Sequence, residues 1–400
     1  LLKTSDGGGW AVEQARELTR LGVETHVALP SLAGANVGRW SSAGAVIHEA
    51  CVDIRPGQLG SLPRRLGGLR DLVRRVRPDV IHSHFVSSTI LMRLALDDSS
   101  APRIFQVPGP LHLEHGFWRS AELALAGERD YWIPSSRYVM GLYRRAGVSA
   151  SRLFLSYYGA DLSTCTQVRT GALRARFGIP DEVKVVGNAN LIYAPKWWLG
   201  QRVGVKAHED VIDALGLVME KRTDVMGVLI GGVFGGADDY ERRLRERASA
   251  VGRGRILMPG YLPAEEVRRM CPDFDVAVHA PLSENCGGVG EPILAGVPTI
   301  AGAVGGLPEV VVEGVTGRMV PTRRPDRLAA AILSVLEEPA RHRAMAKVGR
   351  ELVLAAFDVR RTAKEVYDVY RHLVCGEAAP APFDHLAWLA AKGAAACAIS

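Results

Sequence analysis

Apolar residues in this 400-residue chain follow two interleaved patterns: short β-rich runs, and stretches repeating every three to four residues. Residues 10–20 have the helical spacing and stop near Gly22, a natural helix end. Leu66, Leu69, Leu72, Val73 and Val76 repeat that pattern, with Arg70, Arg74, Arg75 and Arg77 between them. Residues 1–4, 23–29, 79–84, 103–107 and 130–134 read as strands, and 136–146 as a helix. The second half repeats this grammar. Strands are expected at 183–187, 225–230, 256–258, 274–279 and 299–301. Helices are expected at 209–221, 240–250, 264–270, from Pro292 onward, and over 341–372. Such alternation predicts α/β architecture, with parallel sheets covered by helices on both faces.

The chain is too long for one ordinary core. Tyr158-Gly159-Ala160-Asp161 reads as a turn, and the polar segment after it marks a boundary. The expected organisation is a Rossmann-like domain over 1–165 and a second over 166–345, facing each other across a cleft. Terminal helices over 346–374 are expected to bridge them and pack back toward the first domain, with a linker and tail over 375–400. Ligands of open α/β sheets sit at the carboxyl ends of the strands, so the cleft is where chemistry is expected.

Composition narrows the class. Apolar residues make up 48% and charged residues 23%, which suits a folded protein rather than a disordered one. The net charge of +6 can attract phosphates, nucleic acid or an anionic membrane. No helix-turn-helix, zinc-finger or RNA-binding signature accompanies it, so no nucleic-acid partner is expected. Cys51, Cys165, Cys271, Cys286, Cys375 and Cys397 show no paired C-x-x-C spacing, which argues against a zinc site or a disulfide framework. Reduced thiols fit a cytoplasmic protein. No apolar run approaches the ~20 residues that span a bilayer, and no signal peptide is visible. The chain opens Leu1-Leu2-Lys3 without a methionine, where the first strand is expected. The arginine-rich helix over 64–77 reads as a sheet-packed helix with a solvated face, and peripheral contact with anionic lipid is the alternative. Asp273-Phe-Asp275 has a metal-binding form, but strand alternation favours a structural role and no metal is expected.

The segment Glu284-Asn-Cys-Gly-Gly-Val-Gly-Glu291 carries the most chemistry. It follows a buried strand, holds two carboxylates with glycines between them, and enters a helix. Pro292 suits a first helical turn, where its missing N–H costs nothing. Gly287, Gly288 and Gly290 permit close backbone approach. Free amides at a helix start bind an anion such as a diphosphate. Carboxylates beside that anion make sense only if they face neutral hydroxyls, such as those of a sugar and a ribose.

The segment resembles the retaining glycosyltransferases of family 4, also called group 1, which have the GT-B fold. Their hallmark is a pair of glutamates separated by seven residues, before a helix ending in Gly-x-Pro. Glu291-Pro-Ile-Leu-Ala-Gly-Val-Pro298 matches the second half, whereas only six residues separate Glu284 from Glu291. The loop Gly305-Gly306-Leu307-Pro308-Glu309 is similar to the family's next loop, and the similarity covers residues from about 5 to 372. The resemblance implies a nucleoside-diphosphate sugar as donor substrate, no cofactor, and a sugar or lipid-linked acceptor. It places Glu284 on the donor sugar and Glu291 on the ribose, with Gly287, Gly288 and Val289 in the donor site. Lys206, in Lys206-Ala-His-Glu209, becomes the phosphate lysine, with Arg202 beside it and Lys196 behind. Gly8 and Gly9, in the Gly7-Gly8-Gly9 triplet, border the phosphates or the acceptor. His112 lines the sugar pocket, and the backbone of Tyr261 and Leu262 receives the nucleobase. His84 reads as structural.

The expected function is transfer of a hexose to an acceptor hydroxyl with retained configuration, in glycan or glycoconjugate biosynthesis. The alternatives are a nucleotide-sugar epimerase or hydrolase of the same fold, and a non-catalytic subunit of a glycan-synthesis complex. The expected location is the cytoplasm, with contact at the inner membrane face as an option.

Overall fold

A computed structural model of the chain describes residues 1–54, 56–162, 165–197 and 200–393. Contacts divide the chain into two compact units. The first holds Leu1–Asp161 and Ala356–Phe383, and the second holds 162–355 with the segment from Asp384. The chain thus leaves the first unit at Asp161 and re-enters it at Ala356, inside the helix Pro339–Phe357. The expected limits were 165 and 346.

The first unit contains β1 (His26–Leu29), β2 (Val46–Glu49), β3 (Ile81–Ser83), β4 (Arg103–Val107) and β5 (Asp130–Pro134). β1 and β2 pair in parallel, as do β3, β4 and β5 in that order. The expected strand over 1–4 does not form a ladder. Instead, Leu2 N–H bonds Ala28 O at 3.2 Å and the Leu1 nitrogen bonds His82 O at 2.6 Å, so this segment links the two small sheets. β2 was not expected, because Val46–Glu49 is half exposed and lacks a clear apolar alternation. Helix Val359–Cys375 belongs to this unit, where Val366 and Val369 pack against Leu18, Ile104, Ile133 and Phe154.

A buried charge cluster ties this unit together. Arg93, Arg103, Glu122 and Asp130 are all nearly inaccessible. Asp130 Oδ1 accepts from Arg93 Nε at 3.2 Å and Arg103 Nε at 3.1 Å. Its Oδ2 accepts from Arg103 Nη2 and from Gly127 N–H, both at 2.7 Å. Glu122 Oε1 accepts from Arg93 Nη1 at 2.6 Å and Trp132 Nε1 at 2.9 Å. Pairing and hydrogen bonding of this kind are what permit buried ions.

The second unit contains β6 (Lys184–Ala189), β7 (Ile192–Tyr193), β8 (Val225–Ile230), β9 (Val233–Phe234), β10 (Ile256–Gly260), β11 (Val276–His279), β12 (Thr299–Gly302) and β13 (Arg318–Val320). Its main sheet is wholly parallel, in the order β10-β8-β6-β11-β12-β13. Helices His208–Lys221, Asp238–Gly252 and Pro325–Glu337 share one apolar cluster with Val186, Leu229, Val276 and Ile300. A second cluster, around Phe274, Val185 and Val228, holds Leu173, Met270 and Leu262. Parallel neighbours need long crossovers, which are helical here except between β12 and β13, where only a 3₁₀ turn at Leu307–Glu309 intervenes. β7, β9 and β13 are two or three residues long, too short for a periodic signal.

The helix expected from Pro292 spans only Gly290–Leu294, after a 3₁₀ turn at Gly287–Val289. Part of the expected tail is helical too, at His385–Ala391, capped by Asp384. Residues 394–400, including Cys397, lie outside the described residues. The described cysteines are all free thiols. No helix among the described residues is long and apolar enough to cross a membrane.

Candidate functional site

Three loops at the carboxyl ends of strands in the second unit converge on Glu284. The loop after β11 carries it, five residues beyond His279. The loop before helix His208–Lys221 carries Lys206, and Leu282 N–H bonds Val205 O across the two loops at 2.8 Å. The loop after β12 brings Gly306, whose N–H bonds Glu284 O at 3.3 Å. Gly305 has φ of 61°, and a Cβ there would stand 1.8 Å from Glu284 O, so only glycine permits this approach.

Lys206 Nζ donates to Glu284 Oε2. His279 Nε2 donates to the same oxygen at 3.1 Å, and the Asn285 amide bonds Oε1 at 3.0 Å. Burial pushes the Glu284 carboxyl up, but the His279 hydrogen bond and the Lys206 charge outweigh it and hold it at about 2. Glu284 is therefore a carboxylate at neutral pH, able to accept hydrogen bonds and not to donate a proton. Burial lowers the His279 imidazole, with Glu284 opposing and Lys206 reinforcing the shift. Gly288 lies against both side chains. A Cβ on it would stand 2.2 Å from His279 Nε2 and 3.0 Å from Glu284 Oε2.

The Lys206 loop is held from behind. Tyr240 Oη accepts from Gly204 N–H at 2.8 Å and donates to Glu209 Oε1 at 2.6 Å. Ala207, with φ of 48°, then turns the chain into the helix. Arg202, on the same loop, is exposed and makes no hydrogen bond or ion pair with the described residues.

Glu291 does not join this cluster. Its side chain is 46% exposed in the first turn of Gly290–Leu294, 3.7 Å from Arg268 Nη1. Partial burial raises its carboxyl, with Arg268 opposing. Glu291 and His279 instead line a common cavity of about 150 Å³ with Gly287, Gly288, Phe274 and Asn190. Val289 is buried. Tyr261 is 69% exposed beside Gly232, whereas the Leu262 side chain lies in the core, so only its backbone is available to a ligand.

In the first unit, Gly8 has φ of 79° and caps helix Gly9–Arg20, with Ala11 N–H bonding Gly8 O at 2.9 Å. Trp10 packs on His84 and Tyr158, with ring centroids 5.0 and 4.2 Å away. His84 Nδ1 lies 3.2 Å from Tyr158 Oη, which donates to Gln106 O at 2.9 Å. His112 sits on the short helix Leu111–Glu114, with Nε2 3.2 Å from Tyr143 Oη. Burial and the nearby Arg93 charge lower its imidazole to about 3, so it is neutral at physiological pH.

The D-x-D carboxylates are occupied. Asp273 accepts from Gly171 N–H at 3.0 Å and Leu173 N–H at 2.9 Å. Asp275 accepts from Val185 N–H at 2.9 Å and Arg169 at 3.1 Å. Among the described residues no group of three or more His, Cys, Asp or Glu is arranged to hold a metal ion. On the arginine-rich helix Leu62–Val76, Leu69 and Leu72 are buried and Arg70 Nε bonds Ala95 O at 2.7 Å.

His279 and Tyr240 were missed by sequence reasoning. His279 stands at a strand end, the signal that singled out His112, and could have been found the same way. Nothing in the sequence pairs Tyr240 with Gly204, thirty-six residues away.

Residues 7–189 match the model of the glycosyl transferase 4-like domain, and residues 198–352 match that of glycosyl transferases group 1. The chain belongs to the group 1 glycosyltransferases. A relative of this glycosyltransferase, the D-inositol 3-phosphate glycosyltransferase of Streptosporangium roseum, is 28% identical over 92% of this chain and 89% of its own. Among solved structures, Anabaena HepE in complex with UDP-glucose superposes with a TM-score of 0.77 at 18% identity, covering 93% of this chain and 98% of that one. Sucrose-phosphate synthase from Thermosynechococcus elongatus gives 0.76 at 19% identity, over 94% and 96%. The glycosyltransferase therefore has the GT-B fold.

Proposed function

We propose that this glycosyltransferase moves a hexose from a nucleoside-diphosphate sugar, with a UDP-sugar as first candidate, to an acceptor hydroxyl with retained anomeric configuration. The bond between C1 and the phosphate oxygen breaks, and a bond from C1 to the acceptor oxygen forms on the same face. The acceptor proton passes to the departing phosphate oxygen, so neither a dedicated base nor a metal ion is required. The acceptor is a sugar or lipid-linked sugar in glycan or glycoconjugate biosynthesis at the cytoplasmic side.

One observation carries this reading: an ammonium and an ionised carboxylate meet at the strand ends, where open α/β sheets bind ligands. A diphosphate outweighs one carboxylate as a partner for Lys206, which then neutralises the charge developing on the leaving group. Arg202 adds a second cation. Glu284 is left to accept hydrogen bonds from sugar hydroxyls, and its ionised state suits that role. Glu291 takes the ribose hydroxyls, above the backbone of Gly287, Gly288 and Val289. The backbone at Tyr261 and Leu262 receives the nucleobase. His112 lines the sugar pocket, and Gly8 and Gly9 border the acceptor or phosphates. The UDP-glucose complex of the structural neighbour HepE supports the choice of UDP as the first probe.

The test is a thermal-shift panel of nucleoside diphosphates and their sugars, followed by turnover with the best donor. Glu291→Ala and Lys206→Ala should each lower transfer by about a hundredfold or more while keeping the wild-type circular dichroism. Turnover like the wild type in both variants would refute the assignment.

A further inference from the structure

We propose that His279 is the positioning residue for Glu284, holding Oε2 through its Nε2–H independently of Lys206. This rests on the nucleotide-sugar reading above. When a diphosphate draws Lys206 away, Glu284 would otherwise lose the donor that orients it. The His279 N–H still holds Oε2 and the Asn285 backbone amide still holds Oε1. A sugar hydroxyl can enter at Oε2 in the place of the ammonium, and the carboxylate neither rotates nor gains a proton.

The geometry around His279 suits a fixed donor. It ends β11, is 3% exposed, and its Nε2 lies 3.1 Å from Glu284 Oε2. Gly288 borders the bond itself, since a Cβ there would stand 2.2 Å from His279 Nε2 and 3.0 Å from Glu284 Oε2, so the loop backbone packs directly on the pair. A packed ring with one N–H aimed at a carboxylate holds its orientation at little entropic cost. The titratable and charged groups facing this pair are Lys206 and His208 from the loop and helix after it, Tyr193 and Cys286 beside Glu284, and Glu291 and Cys271 across the cavity they share with His279. Burial keeps the imidazole neutral beside Lys206, so the proton stands on Nε2 and Glu284 supplies the negative charge.

The experiment uses the full-length protein with UDP-glucose as donor probe, through hydrolysis or transfer. His279→Leu fills similar space without a donor, and His279→Gln restores an N–H. His279→Leu should lower kcat about ten- to hundredfold with a smaller change in KM. It should also move the acid limb of the pH–rate profile upward by about one pH unit, because Glu284 loses a hydrogen bond to its charged form. His279→Gln should recover most of the rate and the wild-type acid limb. Separately, long-range proton–nitrogen spectra of histidine-labelled protein should show the Nε2–H tautomer for His279 and a shift of that signal in Glu284→Gln. An Nδ1–H tautomer, an unmoved acid limb in His279→Leu, or equal losses in both His279 variants would overturn the proposal. Lack of turnover in the wild type counts against the transfer reading, while the tautomer spectra still decide whether the hydrogen bond exists.

Discussion

Three glycines separate Glu284 from Glu291, and the structure gives them unequal roles. An alanine Cβ at position 288 would stand 2.2 Å from His279 Nε2, well over ~1 Å short of ordinary contact. The ring is 3% exposed and cannot swing into solvent. If it retreats by about 1 Å, its 3.1 Å bond to Glu284 stretches past the hydrogen-bonding limit. A bond to a charged acceptor contributes about 1.5–3 kcal/mol, and overpacking a filled site costs about 1–3 kcal/mol. The two losses share one displacement and do not add in full, so roughly 2–4 kcal/mol is expected for Gly288→Ala. At Gly287 and Gly290 an added Cβ meets nothing within 4 Å. Gly287→Ala should stay within about 0.5 kcal/mol of the wild type. Gly290 is helical, with φ of −61° and ψ of −48°, so Gly290→Ala should gain about 0.4–1 kcal/mol through the unfolded state. Urea unfolding of the purified variants measures all three. A Gly288→Ala loss under about 0.5 kcal/mol, or an equal loss in Gly287→Ala, would show that the loop does not press on the imidazole.

Acid should expose the Glu284 environment. Its folded carboxyl sits at about 2, against an ordinary 4.5. A depressed carboxyl contributes stability that is present above the unfolded value and lost as pH falls through the folded one. About 3 kcal/mol should therefore disappear between pH 4.5 and 2. The melting temperature of Glu284→Gln should fall less steeply than that of the wild type in this window, and parallel curves would contradict the shift. In the first unit, Asp130→Asn should cost about 3–5 kcal/mol, because one amide oxygen cannot serve four donors and an arginine is left without its counter-charge. A calorimetric change under about 1 kcal/mol would mean that the cluster relaxes or admits water.

Much of this protein was legible in its residues. The alternation of β-rich runs with helical repeats specified parallel sheets, because parallel strands need a long crossover that a helix usually supplies. Glu291-Pro-Ile-Leu-Ala-Gly-Val-Pro298 pointed to the glycosyltransferases without any coordinates. Short elements such as β7, β9 and β13 were not legible, since two or three residues carry no period. The shortened spacing of the two glutamates had no interpretation in the sequence either. The fold places them apart: Glu284 meets Lys206 and His279, while Glu291 stands half exposed beside Arg268. Lys206 and Glu284 lie seventy-eight residues apart in the chain. Local sequence sets backbone preference over a few residues, but charge pairing, burial and the resulting pKa shifts depend on which loops meet in space. The motif therefore determined the chemistry available, and only the tertiary structure decided which groups share an oxygen.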